Sequence, residues 1–255
     1  MTDFFADRKD LRDRSILVLG DIHGNFEAYS AATKFADDNK LFIVSLGDIV
    51  DYGAASAAVI WDFAGRVNRG DALMILGNHE RKMTKYFTQV AAGNVRVQIG
   101  KAQQATIDSF DGRTEIIARF QNLCAASSGI VKIGKTVFTH GAISARFWFT
   151  DPDKVSNNRV IENDAFFGQI IPHQRADDGF PVRIYDWVNA IPSGYTVMVG
   201  HDPRSFRTPF VDTNKDGGKG VVLDTGCSKV SVKTGEVGHL SGAVLKDGAF
   251  TLVEF

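Results

Sequence analysis

The sequence predicts an α/β protein in which two mixed β-sheets pack face to face, with helices on their outer faces. Residues 15–76 alternate short apolar runs with amphipathic patterns, which predicts parallel strands joined by right-handed helical crossovers. The C-terminal half holds short strand-like runs joined by glycine-rich turns, which predict a second, more antiparallel sheet. With 255 residues, 44% of them hydrophobic, the chain can bury a full core.

The N-terminal elements follow a repeating order of strand, loop and helix. Residues 15–19 form a short, fully apolar run, as expected for a strand that is buried on both faces. Residues 25–38 then carry apolar side chains at a spacing close to 3.6 residues, which predicts a helix. The order continues with a strand at 41–46, a helix at 54–67 and a third strand at 72–76.

The rest of the chain divides into a helical stretch and a strand-rich stretch. Residues 81–129 are mostly helical in pattern, and we expect them to form an insertion or cap on a single domain that spans residues 1–255. Residues 146–180 are rich in Asp, Asn, Arg and Pro, which predicts irregular loops that face the substrate. Apolar runs bounded by turn residues predict the later strands, at 131–133, 136–139, 196–199, 220–223 and 243–253.

Charge and cysteine content narrow the possible functions. The chain carries 29 Lys and Arg residues against 30 Asp and Glu residues, so we expect no general nucleic-acid-binding surface and no attraction to an anionic membrane. Cys124 and Cys227 form no CxxC motif, which favours a reducing environment. The first residues are charged, and no apolar run is long enough to cross a bilayer. We therefore expect a soluble, cytoplasmic protein.

Candidate metal ligands follow the predicted strands at the points where those strands end. In α/β folds, ligands bind beyond the carboxyl ends of the strands, where the connecting loops diverge. Imidazole and carboxylate groups suit borderline divalent metals such as Mn, Fe, Zn or Co. Neighbouring glycines allow sharp turns and a close approach of the backbone. The candidate side chains are Asp21, His23, Asp48, Asn78, His140 and His201.

Three motifs occur in order along the chain: Gly-Asp-Ile-His-Gly at 20–24, Gly-Asp-Ile-Val-Asp-Tyr-Gly at 47–53 and Gly-Asn-His-Glu at 77–80. Together with His140 and His201, they resemble the calcineurin-like metallophosphoesterases of the phosphoprotein phosphatase type. A single short motif would carry little weight, but three in the same order, each after an apolar run, make the resemblance specific. It implies a β-sandwich of two mixed sheets flanked by helices.

The resemblance covers most of the chain, residues 20–228. The string Leu-Asp-Thr-Gly-Cys at 223–227, followed by Gly-His-Leu-Ser at 238–241, is similar to the closing segment of bacterial members. Those members include diadenosine-tetraphosphatase-like and polynucleotide-phosphatase-like enzymes.

The resemblance also implies two divalent metal ions as cofactors. Asp21 and His23 would bind the first ion, and the carboxylate of Asp48 would bridge both ions. Mn is the expected metal, while Fe, Zn, Ni and Co accept the same ligands. A hydroxide that bridges the ions would attack phosphorus directly, so no protein nucleophile is expected. The remaining ligands of the second ion would be Asn78, His140 and His201.

Three further side chains resemble catalytic residues of the family. His79 resembles the general acid that protonates the leaving oxygen, and Asp51 resembles the carboxylate that orients it. A nearby carboxylate favours the protonated imidazole, which a general acid needs at neutral pH. Asp224 resembles a residue that accepts a hydrogen bond from a metal-binding histidine, either His201 or His140, and thereby fixes its tautomer.

Position 52 departs from the family pattern. Many relatives have arginine where this chain has Tyr52, and that guanidinium holds a phosphoryl oxygen through two hydrogen bonds. A phenol offers one hydrogen bond and no charge. We therefore expect the substrate phosphate to contact Asn78, His79 and Tyr52, together with an arginine from elsewhere in the chain. The candidate arginines are Arg146, Arg183, Arg204 and Arg207.

These features predict a metal-dependent phosphatase that hydrolyses phosphomonoesters. The first interpretation is a serine/threonine or broad-specificity protein phosphatase, whose partner is a phosphorylated protein or a small phosphoester. A nucleotide-directed enzyme, either a dinucleoside tetraphosphatase or a polynucleotide phosphatase, is the main alternative, because the closing segment resembles those members. A non-catalytic scaffold with the same fold is an alternative from another class, although the chain retains every expected ligand.

Overall fold

The computed structural model describes residues 3–175 and 181–255 of the chain. In these ranges the strands are β1 (Phe5–Asp7), β2 (Ile16–Leu19), β3 (Phe42–Ser45), β4 (Ala72–Met74), β5 (Ile130–Ile133), β6 (Thr136–Thr139), β7 (Gln169–Arg175), β8 (Pro181–Ile184), β9 (Thr196–Val199), β10 (Phe210–Thr213), β11 (Lys219–Val222), β12 (Ser241–Lys246) and β13 (Ala249–Glu254). The α-helices are α1 (Phe26–Asp38), α2 (Ser56–Arg69), α3 (Asn78–Ala91), α4 (Lys101–Phe110), α5 (Thr114–Ala125), α6 (Pro152–Val155) and α7 (Arg159–Phe167). Short 3-10 helices lie at Lys9–Leu11, Ala145–Phe149 and Asp186–Ala190.

The first sheet has the strand order β13-β12-β2-β3-β4. β2, β3 and β4 are parallel, because the helical crossovers return the chain to the same end of the sheet. β12 is antiparallel to β2 and forms a hairpin with β13. The expectation that residues 243–253 belong to the second sheet is therefore wrong. The hairpin pairs with β2 instead and satisfies backbone groups that would otherwise lie at an open edge.

The second sheet has the strand order β1-β5-β6-β9-β11-β10. β6, β9 and β11 are parallel, whereas β5 is antiparallel to β6 and β10 is antiparallel to β11. Both sheets thus combine parallel and antiparallel pairs, which confirms the mixed fold class predicted from the sequence. The expectation that the second sheet is the more antiparallel one is wrong, because three of its five strand pairs are parallel, against two of four in the first sheet. β1 and β10 were not predicted from the sequence, since both are short edge strands whose residues are only partly buried or exposed.

Apolar side chains from both sheets form the core between them. Side chains alternate between the two faces of a strand, and the inward set buries Val18 and Val44 of the first sheet against Phe138, Met198 and Val221 of the second. Helices α1 to α5 cover the outer face of the first sheet. Helices α6 and α7, with two of the 3-10 helices, cover the outer face of the second. None of the helices in the described ranges is long and apolar enough to cross a membrane.

The stretch that the sequence assigns to a helical insertion contains most of α3 and all of α4 and α5. These helices bury Met83, Phe87, Phe110 and Phe120 in a cluster that they share with α2. α4 also brings two polar side chains to the carboxylate of Asp51. The role of this stretch as a cap on a single domain stays a prediction.

The stretch at 146–180 is more regular than its composition suggests. It contains α6, α7 and β7, so the expectation of irregular loops is wrong for most of it. The polar residues responsible for that expectation include helix caps: the side chain of Asp151 accepts from the N–H of Asp153, and that of Asn158 accepts from the N–H groups of Val160 and Ile161. Residues 176–180 of the stretch lie outside the described residues.

Candidate metal centre and active site

The candidate metal ligands meet at one edge of the two sheets. Asp21 follows β2, Asp48 follows β3, and Asn78 begins α3 after β4. His140 and His201 follow β6 and β9 of the facing sheet. Because the carboxyl ends of these strands lie at the same edge, residues that are distant in sequence come within contact distance.

Asp48 lies at the centre of the cluster. Its Oδ2 lies 3.2 Å from Nε2 of His140, 3.8 Å from Nε2 of His79 and 4.0 Å from Nε2 of His23. Its Oδ1 accepts a hydrogen bond of 3.0 Å from the backbone N–H of His79, which fixes the orientation of the carboxylate. Asp48 therefore faces ligand groups on two sides, as a carboxylate shared by two cations would.

One group of ligands lies on the side of the second sheet. The Oδ1 atom of Asn78 lies 2.9 Å from Nε2 of His140 and 2.9 Å from Nδ1 of His201. These two ring nitrogens are 3.2 Å apart. Asp48, His140 and His201 can each offer a ligand atom within 4.8 Å of the others. The amide oxygen, the carboxylate and the two imidazoles thus converge on one point.

The other group of ligands lies on the side of the first sheet. His23 and Asp48 offer ligand atoms within 4.8 Å of each other, with the candidate acid His79 within the same distance of both, and Nε2 of His23 is 3.6 Å from Oδ2 of Asp21. That Oδ2 atom and that Nε2 atom are buried and have no hydrogen-bond partner within the described residues. Such buried, unsatisfied polar atoms are costly. A bound cation would satisfy both, so the residues present fit a pair of divalent ions that share Asp48.

Backbone carbonyls orient two of the ligand imidazoles. Nδ1 of His23 lies 2.9 Å from the carbonyl oxygen of Val50, and Nδ1 of His140 lies 2.8 Å from that of Leu46. When Nδ1–H donates to a carbonyl, the lone pair of Nε2 is free for a metal ion. Both Nε2 atoms face Asp48. The tautomer that these contacts favour is the one that a metal ligand needs.

Burial and neighbouring charges set the protonation of the histidines. Burial, aided by the charge of Lys229, holds the pKa of His23 well below its usual range, and burial does the same for the pKa of His201. Neutral imidazole is the form that binds a metal ion. Burial opposes the shift at His140, yet the charge of Asp48 raises its pKa to about 9. A metal ion must displace that proton, which makes metal binding weaker at low pH.

The loops hold several of these side chains in unusual backbone conformations. The φ angles are 46° at His23, 50° at Asp48, 74° at Asp51, 62° at Tyr52 and 74° at His201. Residues other than glycine rarely adopt positive φ. Strained positions of this kind cluster at functional sites, where the surrounding structure enforces them.

Two glycines allow carboxylates to approach the backbone closely. A Cβ atom at Gly77 would lie 2.1 Å from Oδ1 of Asp48, and a Cβ atom at Gly200 would lie 2.2 Å from Oδ1 of Asp21. Any larger residue at these positions would displace a ligand carboxylate. This is the role that the sequence predicts for the motif glycines.

Glu80 joins two of the motif loops through hydrogen bonds to their backbone. Its fully buried carboxylate accepts hydrogen bonds from the backbone N–H groups of Asp48 at 2.7 Å, Ile49 at 2.9 Å and Gly77 at 3.0 Å. Burial, followed by the charge of Asp48, raises the pKa of Glu80 to about 7. Although Glu80 is part of the Gly-Asn-His-Glu motif, the sequence analysis assigned it no role.

His79 and Asp51 form a close pair beside the metal ligands. Nδ1 of His79 lies 2.5 Å from Oδ2 of Asp51. Two side chains of α4 hold this carboxylate: Nε2 of Gln103 donates to Oδ2 at 2.8 Å, and Oγ1 of Thr106 donates to Oδ1 at 2.7 Å. Gln103 and Thr106 were missed because they belong to no motif and lie more than 50 residues from Asp51 along the chain.

The surroundings of His79 favour its protonated form. Burial lowers the pKa of the imidazole, but the charges of Asp48 and Asp51 outweigh burial, and the net pKa is raised. Because Nδ1 faces Asp51, Nε2 is the atom that faces the cluster. His79 is thus arranged to carry a proton toward the metal ligands.

Asp224 does not make the contact expected from the resemblance. Nδ1 of His140 faces the carbonyl of Leu46, and Nε2 of His201 has no hydrogen-bond partner within the described residues, so neither atom donates to Asp224. The Oδ1 atom of Asp224 instead accepts from the backbone N–H of Gly226 at 2.8 Å. Its Oδ2 atom lies 3.8 Å from Nζ of Lys229. The expected hydrogen bond is therefore wrong, because a backbone carbonyl orients His140 and the Asp224 carboxylate bonds within its own turn.

Tyr52 lines the cluster at the place predicted for substrate contact. The residue is 43% exposed, and the centre of its ring lies 4.7 Å from that of His23 and 5.6 Å from that of His79. Nζ of Lys229 lies 5.1 Å from the centre of the Tyr52 ring. The tyrosine is thus in reach of a ligand at the centre.

The four candidate arginines contact the ligand cluster less directly than Tyr52 does. Arg204 lies over the rings of Tyr185 and Phe210, and Arg207 pairs with Glu236 at an exposed position. Arg146 is exposed, and within the described residues its side chain makes no ion pair with a candidate ligand. Nε of Arg183 lies 3.9 Å from Oδ1 of Asp202, next to His201.

Comparisons with known protein sequences are consistent with a metal centre at this site. A family model described as calcineurin-like phosphoesterase matches residues 14–229. An asymmetrical bis(5'-nucleosyl)-tetraphosphatase PrpE from Anoxybacillus flavithermus (strain DSM 21510 / WK1) is 26% identical over 225 residues, which cover 82% of this chain and 84% of that protein. The protein of the same name from Bacillus subtilis (strain 168) is 25% identical over 226 residues, covering 82% and 85%.

Solved structures show the same fold. A crystal structure provisionally described as a diadenosine tetraphosphatase superposes with a TM-score of 0.61 at 19% identity and covers 99% of this chain and 98% of its own. A protein serine/threonine phosphatase from Saccharomyces cerevisiae superposes with a TM-score of 0.58 at 16% identity, covering 99% and 83%.

Proposed function

We propose that this chain, which belongs to the calcineurin-like phosphoesterase family and is a metal-dependent phosphoester hydrolase, acts on a nucleotide phosphoanhydride of the dinucleoside tetraphosphate class. One observation carries the substrate class: five curated relatives that match 82% of this chain are all named bis(5'-nucleosyl)-tetraphosphatase. The expectation of a metal-dependent phosphatase is confirmed. The relatives favour the nucleotide alternative over the protein phosphatase that the sequence analysis placed first.

The cluster around Asp48 would hold the two divalent ions of the family. Such ions neutralise charge on phosphoryl oxygens and lower the pKa of bound water. We propose Mn as the resident metal. Fe, Zn, Ni and Co accept the same donor atoms, and the availability of each metal decides among them. The residues that would hold the ions with Asp48 are Asp21, His23, Asn78, His140 and His201.

His79 would protonate the leaving oxygen. Its Nδ1 is held by Asp51 at 2.5 Å, so a second proton on Nε2 faces the cluster. Gln103 and Thr106 keep the Asp51 carboxylate in place. This arrangement supports general acid catalysis, in which the proton arrives as the bond to phosphorus breaks.

The surroundings of His201 support a substrate with an extended anionic chain. A dinucleoside tetraphosphate carries more charge than a phosphomonoester and extends beyond the metal pair. Burial lowers the pKa of His201, and the charge of Arg183 adds to that effect, so this guanidinium acts on the same region. Arg204 lies 3.8 Å from the ring centres of both Tyr185 and Phe210. Of these two arginines, Arg183 is the one whose charge reaches His201, whereas Arg204 is held by the aromatic rings.

A comparison of substrates tests the proposal. The Mn-loaded protein would be assayed with diadenosine tetraphosphate, a phosphoserine peptide, a 5'-phosphorylated oligonucleotide and p-nitrophenyl phosphate. We expect kcat/KM for diadenosine tetraphosphate to exceed that for the peptide and the oligonucleotide by about tenfold or more. Faster hydrolysis of the peptide would favour the protein phosphatase, and faster hydrolysis of the oligonucleotide would favour the polynucleotide phosphatase.

A matched pair of histidine variants distinguishes hydrolysis by this protein from hydrolysis by a contaminating enzyme. His79→Asn should lower kcat/KM for diadenosine tetraphosphate by at least about tenfold, because it removes the proton donor. His173→Asn changes an exposed histidine of β7 and should leave kcat/KM unchanged. Equal rates in His79→Asn and the wild type would contradict a catalytic role and would favour the scaffold.

A further inference from the structure

Lys229 places an ammonium group beside the candidate metal centre. Its Nζ lies 5.1 Å from the centre of the Tyr52 ring and 3.8 Å from Oδ2 of Asp224. The side chain is 19% exposed. Nothing in the three motifs points to this residue, which follows the closing string at 223–227.

The backbone around Lys229 holds the side chain in this position. Ser228, the preceding residue, has a φ of 62°. The N–H of Lys229 donates to the carbonyl of Gly226 at 2.8 Å, and its carbonyl accepts from the N–H of Gly238 at 3.0 Å. The chain therefore turns at Lys229 and directs the side chain toward Tyr52 instead of toward solvent.

The positive charge of Lys229 affects the pKa values of histidines in both groups of ligands. Its charge contributes to lowering the pKa values of His23 and His201, after the larger effect of burial. Burial disfavours the charged lysine, but Asp224, Asp21 and Asp48 outweigh burial and raise the pKa of Lys229, so it stays protonated.

The ammonium N–H groups of Lys229 have no hydrogen-bond acceptor among the residues that the structure describes. Within the described residues Nζ donates no hydrogen bond, since the distance of 3.8 Å to Asp224 exceeds hydrogen-bond length. Oδ2 of Asp224 likewise has no hydrogen-bond partner there. A largely buried ammonium with three unused donors is suited to an anionic ligand that arrives from outside.

Lys229 also differs from the arginines that the sequence suggested. Arg204 is held over two aromatic rings, and Arg207 pairs with Glu236. The ring of Tyr52 occupies the position of the missing arginine and provides a face on which the ammonium rests. Lys229, although distant from Tyr52 in sequence, thus supplies a positive charge beside the position where the arginine is missing.

We propose that Lys229 binds a non-bridging phosphoryl oxygen of the substrate above Tyr52 and replaces the arginine that this position lacks. The inference rests on the proposed function, because it concerns the phosphate bound at the same centre. Lysine acts there as a point charge with rotatable donors, so it fixes the phosphate less rigidly than a bidentate guanidinium. The contact is one of binding, and Lys229 takes no part in proton transfer.

Titration of inorganic phosphate into the Mn-loaded protein tests the proposal without turnover. Lys229→Met should weaken phosphate binding by about ten- to a hundredfold, the usual effect of losing a charged hydrogen bond. Lys229→Arg should restore most of the affinity. Lys215→Met changes an exposed lysine in the turn between β10 and β11 and should bind phosphate like the wild type.

The Mn content of each variant separates substrate binding from a structural role. Removal of a positive charge reduces repulsion toward a cation, so Lys229→Met should bind Mn at least as tightly as the wild type. Unchanged phosphate affinity in Lys229→Met would contradict the proposal, as would a loss of Mn or of thermal stability in both Lys229→Met and Lys229→Arg. If the wild type binds phosphate but does not hydrolyse diadenosine tetraphosphate, the proposed substrate fails while the titration still decides on Lys229.

Discussion

Two carboxylates that reach His79 from different loops favour its protonated form. Asp51 contacts Nδ1 at 2.5 Å, and Oδ2 of Asp48 lies 3.8 Å from Nε2. Their charges outweigh burial and raise the pKa of His79. A general acid is active while it is protonated, so activity falls as the pH rises through its pKa. The raised pKa moves this fall to higher pH.

Asp51→Asn should therefore move the alkaline limb of the pH profile to lower pH. The variant keeps the size of the side chain but removes one of the charges that raise the pKa of His79, and we expect kcat/KM to fall by about ten- to a hundredfold. The measurement is kcat/KM for p-nitrophenyl phosphate across the pH range with constant Mn. Asp108→Asn, at an exposed position of α4, is the control. An unchanged alkaline limb in Asp51→Asn would show that Asp51 does not tune His79.

The residues of the site differ in how far the sequence could predict them. Asp21, Asp48 and His201 were predictable because each comes within three residues of the end of an apolar strand and directly follows a glycine. Gln103 and Lys229 were not, because they reach the site only after α4 and the C-terminal turn have packed against the motif loops. No pattern in the sequence predicts such a contact.

At the scale of elements, one buried arginine joins the two helices that flank the first sheet. Arg66 of α2 makes two hydrogen bonds to the carboxylate of Asp37 in α1, at 2.7 and 2.9 Å, and a third to Asp62 at 2.8 Å. The hydroxyl of Tyr29 in α1 donates to the same Asp62 carboxylate at 2.6 Å. The side chain of Arg66 is 10% exposed, whereas those of Asp37 and Asp62 are 60% and 40% exposed, so these contacts are only partly shielded from water.

Arg66→Ala should lower the free energy of unfolding by about 1–3 kcal/mol, since it leaves Asp62 with one partner and Asp37 with none of these contacts. Arg69→Ala, three residues on, removes an exposed pair with Asp71 and should cost less than about 1 kcal/mol. Urea unfolding followed by circular dichroism measures both. Equal stability of the two variants would show that the contacts of Arg66 do not stabilise the pairing of the two helices.

The elements themselves were predictable where their periodicity was strong. The helix predicted at 25–38 is observed at Phe26–Asp38, and the strand predicted at 196–199 is observed at Thr196–Val199. β7 and β8 were not predicted, because they form a separate two-stranded ribbon with few buried residues. Their sequences lack the apolar alternation that marks a strand on a core.

At the scale of the whole molecule, the C-terminal hairpin completes the sheet that carries Asp21 and Asp48. β12 pairs with β2, and Leu245 of β12 is buried between the two sheets. The sequence predicted two mixed sheets correctly but placed the hairpin in the wrong one. Alternation of apolar residues identifies strands, yet the choice of a pairing partner depends on which strand edge remains free after the rest has folded.

Leu245→Ala should destabilise the protein by about 2–4 kcal/mol, because it leaves a cavity between the sheets. Leu252→Ala lies on the neighbouring strand of the hairpin at a position that is 37% exposed, and it should cost less than about 1 kcal/mol. Guanidinium unfolding gives both values. A small effect of Leu245→Ala would contradict the assignment of the hairpin to the core between the sheets.

The central claim is that strand ends from both sheets build a two-metal centre around Asp48. The most direct measurement is the Mn content per chain after equilibration and removal of free metal, for the wild type and for Asp48→Asn. We expect about two ions in the wild type and fewer in Asp48→Asn, with loss of phosphoester hydrolysis, because the variant removes the charge shared by both ligand groups. Equal Mn content and equal activity in the two proteins would contradict the claim.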